Sequence, residues 1–467
     1  MVRSSTRLWS AVALSLALPS AALAQSDFSN FGQVGRGGLG VTFATDYQAI
    51  GVNPANLSRV GSPKIAFTVG EFGFGVGSQS LTKATIRRFL DASGRELTQA
   101  EKQSLSRDFT SDNALNLNAD ATTVAVSLNL PLFGTLAISN RQRVSSHVGL
   151  NKNAAEIMFL GREAPVFQNF DPATAPLVSE VLDGTKIQLA WYNEYNVAFG
   201  RQLVDLPKFR VSGGVGYRYI QGVGVLDVQV ADGKASSYSA LSPLFDVDYG
   251  KVATQPGFNL RERANGLQPV GKGYGFDFGV AIEAGKLLRV GIAVTDIGRM
   301  KWEGNLLTAQ DQKIKQLSSN GVDSYDFFTE AARIFAAGTD SLFVYEAGQQ
   351  LQTSLPGKLR VGAGLRVSEN LEAGVEVSTP LNQVAGSLPN TFVGAALDYK
   401  PWHWLRLSSG VNGGAGYGFG IPLGITLTTP IYEAGISTRD VTGFVSKDNP
   451  YVSGAAGFLR FRLGKVQ

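Results

Sequence analysis

Apolar side chains recur at every second position through most of this 467-residue chain. Over residues 186–203, Ile187, Leu189, Trp191, Tyr195, Val197 and Phe199 share one face, while Gln188, Glu194, Asn196 and Gly200 share the other. Residues 208–219 set Phe209, Val211, Val215, Tyr217 and Tyr219 against Lys208, Arg210, Ser212 and Arg218. Residues 416–429 set Tyr417, Phe419, Ile421, Leu423, Ile425 and Leu427 against Gly418, Gly420, Gly424 and Thr426. Strand side chains alternate between faces, so this period restricts the chain to sheets with one apolar and one polar face. Beyond the N-terminus no run reaches the ~18 apolar residues of a membrane helix. A soluble sandwich turns its apolar face inward; a transmembrane barrel turns it to lipid.

Connection lengths separate these two folds. The alternation predicts strands near 64–78, 119–130, 133–149, 186–203, 208–230, 272–284, 286–298, 357–367, 370–379, 390–400, 403–412, 416–429, 431–438 and 455–464, fourteen in all. Connections at Pro131, Asp205–Pro207, Gly285, Ser368–Glu369, Pro401–Trp402 and Pro430 are short, and those at 79–118, 150–185, 231–271, 299–356 and 439–454 are long. An even strand number, short turns at one rim and long loops at the other describe a membrane barrel. The polar positions agree. Arg210, Arg218, Asp277, Glu283, Arg360, Arg366, Glu372 and Arg406, with Arg289, Glu376, Arg460 and Arg462, all fall opposite apolar neighbours. Charges of both signs suit a lumen, whereas each Arg or Lys at the lipid midplane costs about 2–4 kcal/mol. Glycine is 55 of 467 residues, against about 7% in average usage, and suits curved strands and close backbone approach. The expected fold is all-β: a transmembrane barrel of about 14 antiparallel strands spanning 61–467.

The N-terminus has the form of an export signal. Arg3 and Arg7 precede the apolar run Leu8–Leu18, and Ala22-Leu23-Ala24 gives a small-residue cleavage pattern, so residues 1–24 are expected to be removed. Losing two arginines lowers the formal net charge from +4 to about +2, and the basic balance carries no indication of nucleic acid. The last strand, Gly457–Gly464, places Leu459, Phe461 and Leu463 on one face; it reads as a signal for barrel-assembly machinery or as an ordinary edge strand.

Helices are expected only in long loops. Thr98-Gln99-Ala100-Glu101 is a capping-box pattern ahead of Leu105 and Phe109. Thr82 opens a shorter segment with Ile86, Phe89 and Leu90, and Phe327, Phe328, Ala331, Ile334 and Phe335 form an amphipathic stripe. These read as rim packing, or as a lid. Chemistry is sparse: no Cys and only His147 and His403, so neither a disulfide, a thiolate metal site, a resident cofactor nor an enzyme is expected. Gly35-Arg36-Gly37-Gly38-Leu39-Gly40 matches G-x-G-x-x-G but lacks the βαβ context of nucleotide binding.

The stretch Gly37 to Leu57, with Asp46 and the turn Asn53-Pro54-Ala55 before the first strand, resembles the N-terminal segment of FadL-like outer-membrane barrels. Gly273–Gly279, Thr295-Asp296-Ile297-Gly298, Trp302 and Leu355-Pro356 are similar to an uncharacterised large-barrel branch of that superfamily. The resemblance implies residence in the outer membrane of a Gram-negative bacterium and an N-terminal luminal hatch at 25–60. Asn53, Pro54 and Ala55 would form the hatch turn, either seating the segment or gating it, and Asp46 would meet a lumen arginine such as Arg360 or Arg366. It implies passive uptake of a small hydrophobic molecule. A related branch resembling PorV implies instead a non-transporting anchor for secretion-system proteins, and the charged wall a polar-solute porin. Outer-membrane lipid is the remaining expected partner.

Overall fold

The computed structural model describes residues 30–78, 82–84, 96–109, 114–285, 287–323, 334–335, 341–416, 418–445 and 451–465. One sheet contains eighteen strands. In chain order they are β1 (Ile65–Ser78), β2 (Ala114–Leu130), β3 (Gly134–Gly149), β4 (Lys186–Leu206), β5 (Phe209–Ala231) and β6 (Lys234–Leu241). Then come β7 (Gly271–Ala284), β8 (Leu288–Trp302), β9 (Leu306–Gln310), β10 (Glu346–Ala347), β11 (Leu351–Ser354) and β12 (Lys358–Arg366). The rest are β13 (Leu371–Pro380), β14 (Phe392–Trp402), β15 (Leu405–Gly414), β16 (Leu423–Thr428), β17 (Tyr432–Thr438) and β18 (Tyr451–Leu463).

Fourteen of these close an antiparallel ring. β1 to β5 pair in succession, β5 pairs β7, β7 pairs β8 and β8 pairs β12. β12 to β18 then pair in order, and β18 returns to β1. Each ring strand answers to one of the fourteen expected. Closure leaves no sheet edge along the membrane, the condition for strands to span hydrocarbon.

Burial is inverted relative to a soluble sheet. On β5, Val215 is 51% exposed while Arg218, facing the other way, is 1% exposed. Val197, Phe276, Phe278, Val280, Val375, Val393 and Ile425 are likewise exposed, and the charged side chains opposite them are covered. Such a surface is stable only against lipid.

β4 and β5 run for 21 and 23 residues, where crossing a bilayer takes about 9–11. Their burial shows where the excess goes. The alternation of exposed and buried positions holds at Tyr195 and Val197, but Ile187 to Asn193 is almost wholly covered. There Ile187, Leu189, Leu226 and Val228 belong to an apolar cluster with Phe109, Met158, Phe159, Phe335 and Phe343. Ile187 and Leu189 share the outward parity of Tyr195 and Val197, so this second core lies on the outer flank of the extended strands. The α-helices among the described residues are α1 (Phe31–Gly35) in the lumen and, in the loops, α2 (Gln99–Asp108), α3 (Lys152–Leu160), α4 (Val178–Val181) and α5 (Thr442–Val445); α2, α3 and α4 contribute side chains to the flank core, and α2 and α3 cover the flank. The Thr98–Glu101 capping box forms at the start of α2.

Several local expectations are corrected. The run 416–429 is a strand only from Leu423, because Ala415, Gly416 and Gly418 take positive φ and Pro422 cannot donate to a ladder. The loops at 231–271 and 299–356 contain β6, β9, β10 and β11; Asp232 and Gly233, both at positive φ, turn β5 into β6. That dipeptide is a hairpin signal the alternation overlooked. The export signal, most of the Thr82 segment and Phe327, Phe328 and Ala331 lie outside the described residues.

Candidate functional site: the barrel interior

Residues 30–63 run inside the ring, and their side chains meet the polar faces of strands around it. Arg36 forms a two-pronged pair with Asp398 on β14 at 2.6–3.0 Å. Glu376 on β13 accepts the successive backbone amides of Gly40 and Val41 at 2.7 and 2.9 Å, while Arg360 holds its other oxygen at 3.0 Å. Arg59 pairs with Glu283 on β7 at 3.1 Å and donates to the Thr42 carbonyl. Asp46 pairs with Arg460 on β18 at 2.6 Å. The expected partners Arg360 and Arg366 are therefore wrong. Arg360 is taken by Glu376, and Arg366 sits at the short-turn rim with Glu372. Arg460 also meets Glu433, which Arg406 and Arg462 share.

Beside Asp46, Tyr47 donates to Glu71 on β1, as does Gln48 at 3.1 Å. Burial pushes the Tyr47 hydroxyl well up, and the Glu71 carboxylate adds to the rise, so it stays a neutral donor.

The Asn53-Pro54-Ala55 turn is an N-cap. Asn53 Oδ1 accepts from the Ala55 amide at 3.1 Å, and Pro54 opens the 3-10 helix Pro54–Ser58. Asn53 Nδ2 donates both to Val41 O within the segment, at 3.1 Å, and to Val280 O on β7, at 3.2 Å. Asn56 reaches the same Val41 carbonyl at 2.9 Å. One side chain thus ties turn, segment and wall together.

Wall glycines make room for this traffic. A methyl on Gly214 would lie 2.2 Å from the Pro54 carbonyl carbon, and one on Gly279 2.1 Å from Asn53 Oδ1. Gly362 receives Val41, Gly374 receives Phe43, Gly394 receives Leu39, and Gly435 and Gly457 flank Phe31.

Toward the long loops lies a layer of buried charge. Arg218 pairs with Asp277 and Asp296, and Arg143 with Glu194 and Asp296, at 2.5–3.0 Å; Lys358 stands 3.7 Å from Asp296. Asp296 sits at φ +62 beside the irregularity where β7 and β8 shift register, and its amide donates to Asp277 at 2.9 Å. The Thr295–Gly298 motif is therefore a bulge that aims a carboxylate inward. Beside it an inward apolar cluster gathers Tyr192, Ile220, Val225, Met300, Trp302 and Leu355.

Of the expected lumen residues, Arg218, Asp277, Glu283, Arg360 and Arg406 reach these networks. Glu372 joins Arg289 and Arg366 near the short turns. Arg210 is a rim residue, its side chain 32% exposed and paired with Asp205 across the β4–β5 turn; it follows the turn too closely to reach the interior. Sequence reasoning missed Arg36, Arg59, Glu71, Asp398 and Glu433. His147 Nδ1 is 2.8 Å from Asn116 Oδ1. Between segment and wall a polar cavity of about 30 Å³ is lined by Gln33, Gln48, Glu71, Arg141 and Asn196, among others. Among the described residues no group of three or more His, Asp or Glu is placed to hold a metal.

The profile of a family of unknown function, DUF5723, matches residues 54–432. No curated protein matches the chain. Among solved structures it is similar to the Pseudomonas putida toluene transporter TodX, with 9% identity, a TM-score of 0.45, and 95% of this chain and 97% of that one covered. It is also similar to a Pseudomonas aeruginosa FadL homologue, with 12% identity, a TM-score of 0.42, and 94% and 98% coverage. For the CymD monoaromatic hydrocarbon channel the figures are 11%, 0.41, 97% and 100%.

Proposed function

The chain belongs to the DUF5723 family, and we propose that it is a gated outer-membrane channel for a small hydrophobic molecule, with the N-terminal segment as its gate and this structure as its closed state. The seating of residues 30–60 carries the reading. The segment is fixed by separate ion pairs at Asp398, Glu283 and Arg460 and lies against wall glycines. If it leaves, those glycines have no side chains with which to fill the space, so its departure opens a passage. The inward cluster around Trp302 offers apolar surface inside the barrel.

A second reading, a non-transporting anchor for secretion-associated partners, is favoured by the small volume of the cavity beside the segment, about 30 Å³, room for about one water. Flux into liposomes separates the two. The probes are a monoaromatic hydrocarbon and a neutral sugar, and the proteins are wild type and Asn53→Ala with Pro54→Ala. The channel reading expects faster hydrocarbon entry in the variant, with strand content unchanged by circular dichroism. A loosened segment without any added flux supports the anchor, and flux of the sugar alone supports a polar-solute porin.

A further inference from the structure

On the outer wall the register aligns one row of side chains across five strands: Asn193, Gln221, Lys272, Lys301 and Gln352, on β4, β5, β7, β8 and β11. The row beneath is aromatic. Tyr195, Tyr219 and Tyr274 stand side by side, 37–47% exposed, above the lipid-facing Tyr217, Phe276 and Phe278. Tyrosines in this position mark a membrane interface. On its β3–β4 side the polar row is satisfied by amides: Asn193 accepts from Asn140 and Gln142 at 2.7 Å and donates to Gln221 at 2.9 Å. On its β7–β8 side it is cationic.

Lys272 and Lys301 lie directly opposite each other, an arrangement that like charges destabilise. Arg299, on the same face of β8, donates to the Tyr274 hydroxyl at 2.8 Å and stacks over its ring at 5.7 Å. The neighbouring carboxylate Glu303 contacts Lys301 and stands 3.8 Å from Lys272. A hydrogen bond from Lys301, together with the charges of Lys272 and Arg261, holds its carboxyl below the usual range. One carboxylate thus serves three cations, Lys272, Lys301 and Arg261, and the side chains of Lys272 and Lys301 remain 63% and 37% exposed.

We infer that Lys272, Arg299 and Lys301 seat the phosphate-bearing headgroup of a lipid in the leaflet on the long-loop side. Its acyl chains would descend over Tyr217, Phe276 and Ile297. A phosphate accepts charge-assisted bonds from ammonium and guanidinium groups and relieves the repulsion between the facing lysines. A lipid fits where a soluble anion does not, because the cations stand on the lipid-facing wall directly above the tyrosines.

The test is lipid retention by native mass spectrometry of the full chain in detergent, titrated with phosphatidic acid or phosphatidylcholine. Wild type is expected to retain phosphatidic acid selectively. Lys272→Gln, Arg299→Gln and Lys301→Gln together should lower that retention on the order of 100-fold, from about fivefold per cation near an anionic lipid surface. Glu303→Gln should raise it, which keeps the inference testable if the triple variant assembles poorly. Lys208→Gln with Arg201→Gln, near the opposite rim, should change nothing. Equal retention of both lipids, no loss in the triple variant, or equal competition by inorganic phosphate would overturn the inference.

Discussion

Replacing Arg36 by Met isolates one fastening of the N-terminal segment. The Arg36 and Asp398 side chains are 8% and 4% exposed, and their closest approach is 2.6 Å. With Arg36 gone, Asp398 keeps the Ser408 hydroxyl at 2.6 Å but no longer the guanidinium that neutralises it. Breaking a buried pair from one side costs about 3–5 kcal/mol. If that cost falls on seating, the unseated population rises by about two to three and a half orders of magnitude. Limited proteolysis in detergent reads it, since cleavage tracks the open population when opening is fast. Cuts between residues 30 and 60 should accelerate accordingly while the barrel keeps its heat-modifiable migration. Arg36 also stacks on Phe43 at 4.8 Å, so Asp398→Leu and the double variant complete a cycle that separates the two contacts. The double variant should recover most of the loss, because the uncompensated carboxylate is gone. An unchanged cleavage rate in Arg36→Met, or no recovery in the double variant, would refute the view that this pair seats the segment.

Gly214→Val should unseat the Asn53–Ser58 turn, because its side chain collides with the Pro54 backbone, whereas Gly413→Ala, whose nearest neighbour is 3.6 Å away, should not; proteolysis near Pro54 checks both. The chain has no Cys, so single cysteines report topology cleanly. Asn320→Cys should react with a membrane-impermeant maleimide on intact cells and Pro430→Cys should not; reversed labelling would invert the barrel.

The exterior of this barrel was legible because its rules are local. Alternation at Phe209–Tyr219 needs only neighbours in sequence, and the short turns at Pro131, Pro207 and Pro430 punctuate it. The flank core was not legible in the same way. Ile187 and Leu189 carry the same pattern as Tyr195 and Val197, and only the folded loops distinguish a surface covered by α2 and α3 from one covered by lipid. Leu423 shows the converse: alternation continued upstream through glycines whose positive φ ends the strand.

The interior resisted for a further reason. Asp46 and Arg460 are 414 residues apart, and Arg36 and Asp398 are 362 apart. Inward parity identified Arg360, Arg406 and Arg460 as lumen residues, yet parity is silent on which carboxylate each one meets. That choice is made by the path of a segment with no periodicity of its own. The glycines supply the missing link between composition and path. Gly200, Gly214, Gly279, Gly362, Gly374, Gly394, Gly435 and Gly457 lie on different strands, and each is small where Phe31, Leu39, Val41, Phe43, Asn53 or Pro54 presses on the wall. These eight glycines are therefore the imprint of residues 30–58 on the ring. Side chains at those positions would improve strand packing while displacing the segment, so the wall gives up local strand stability to hold its occupant.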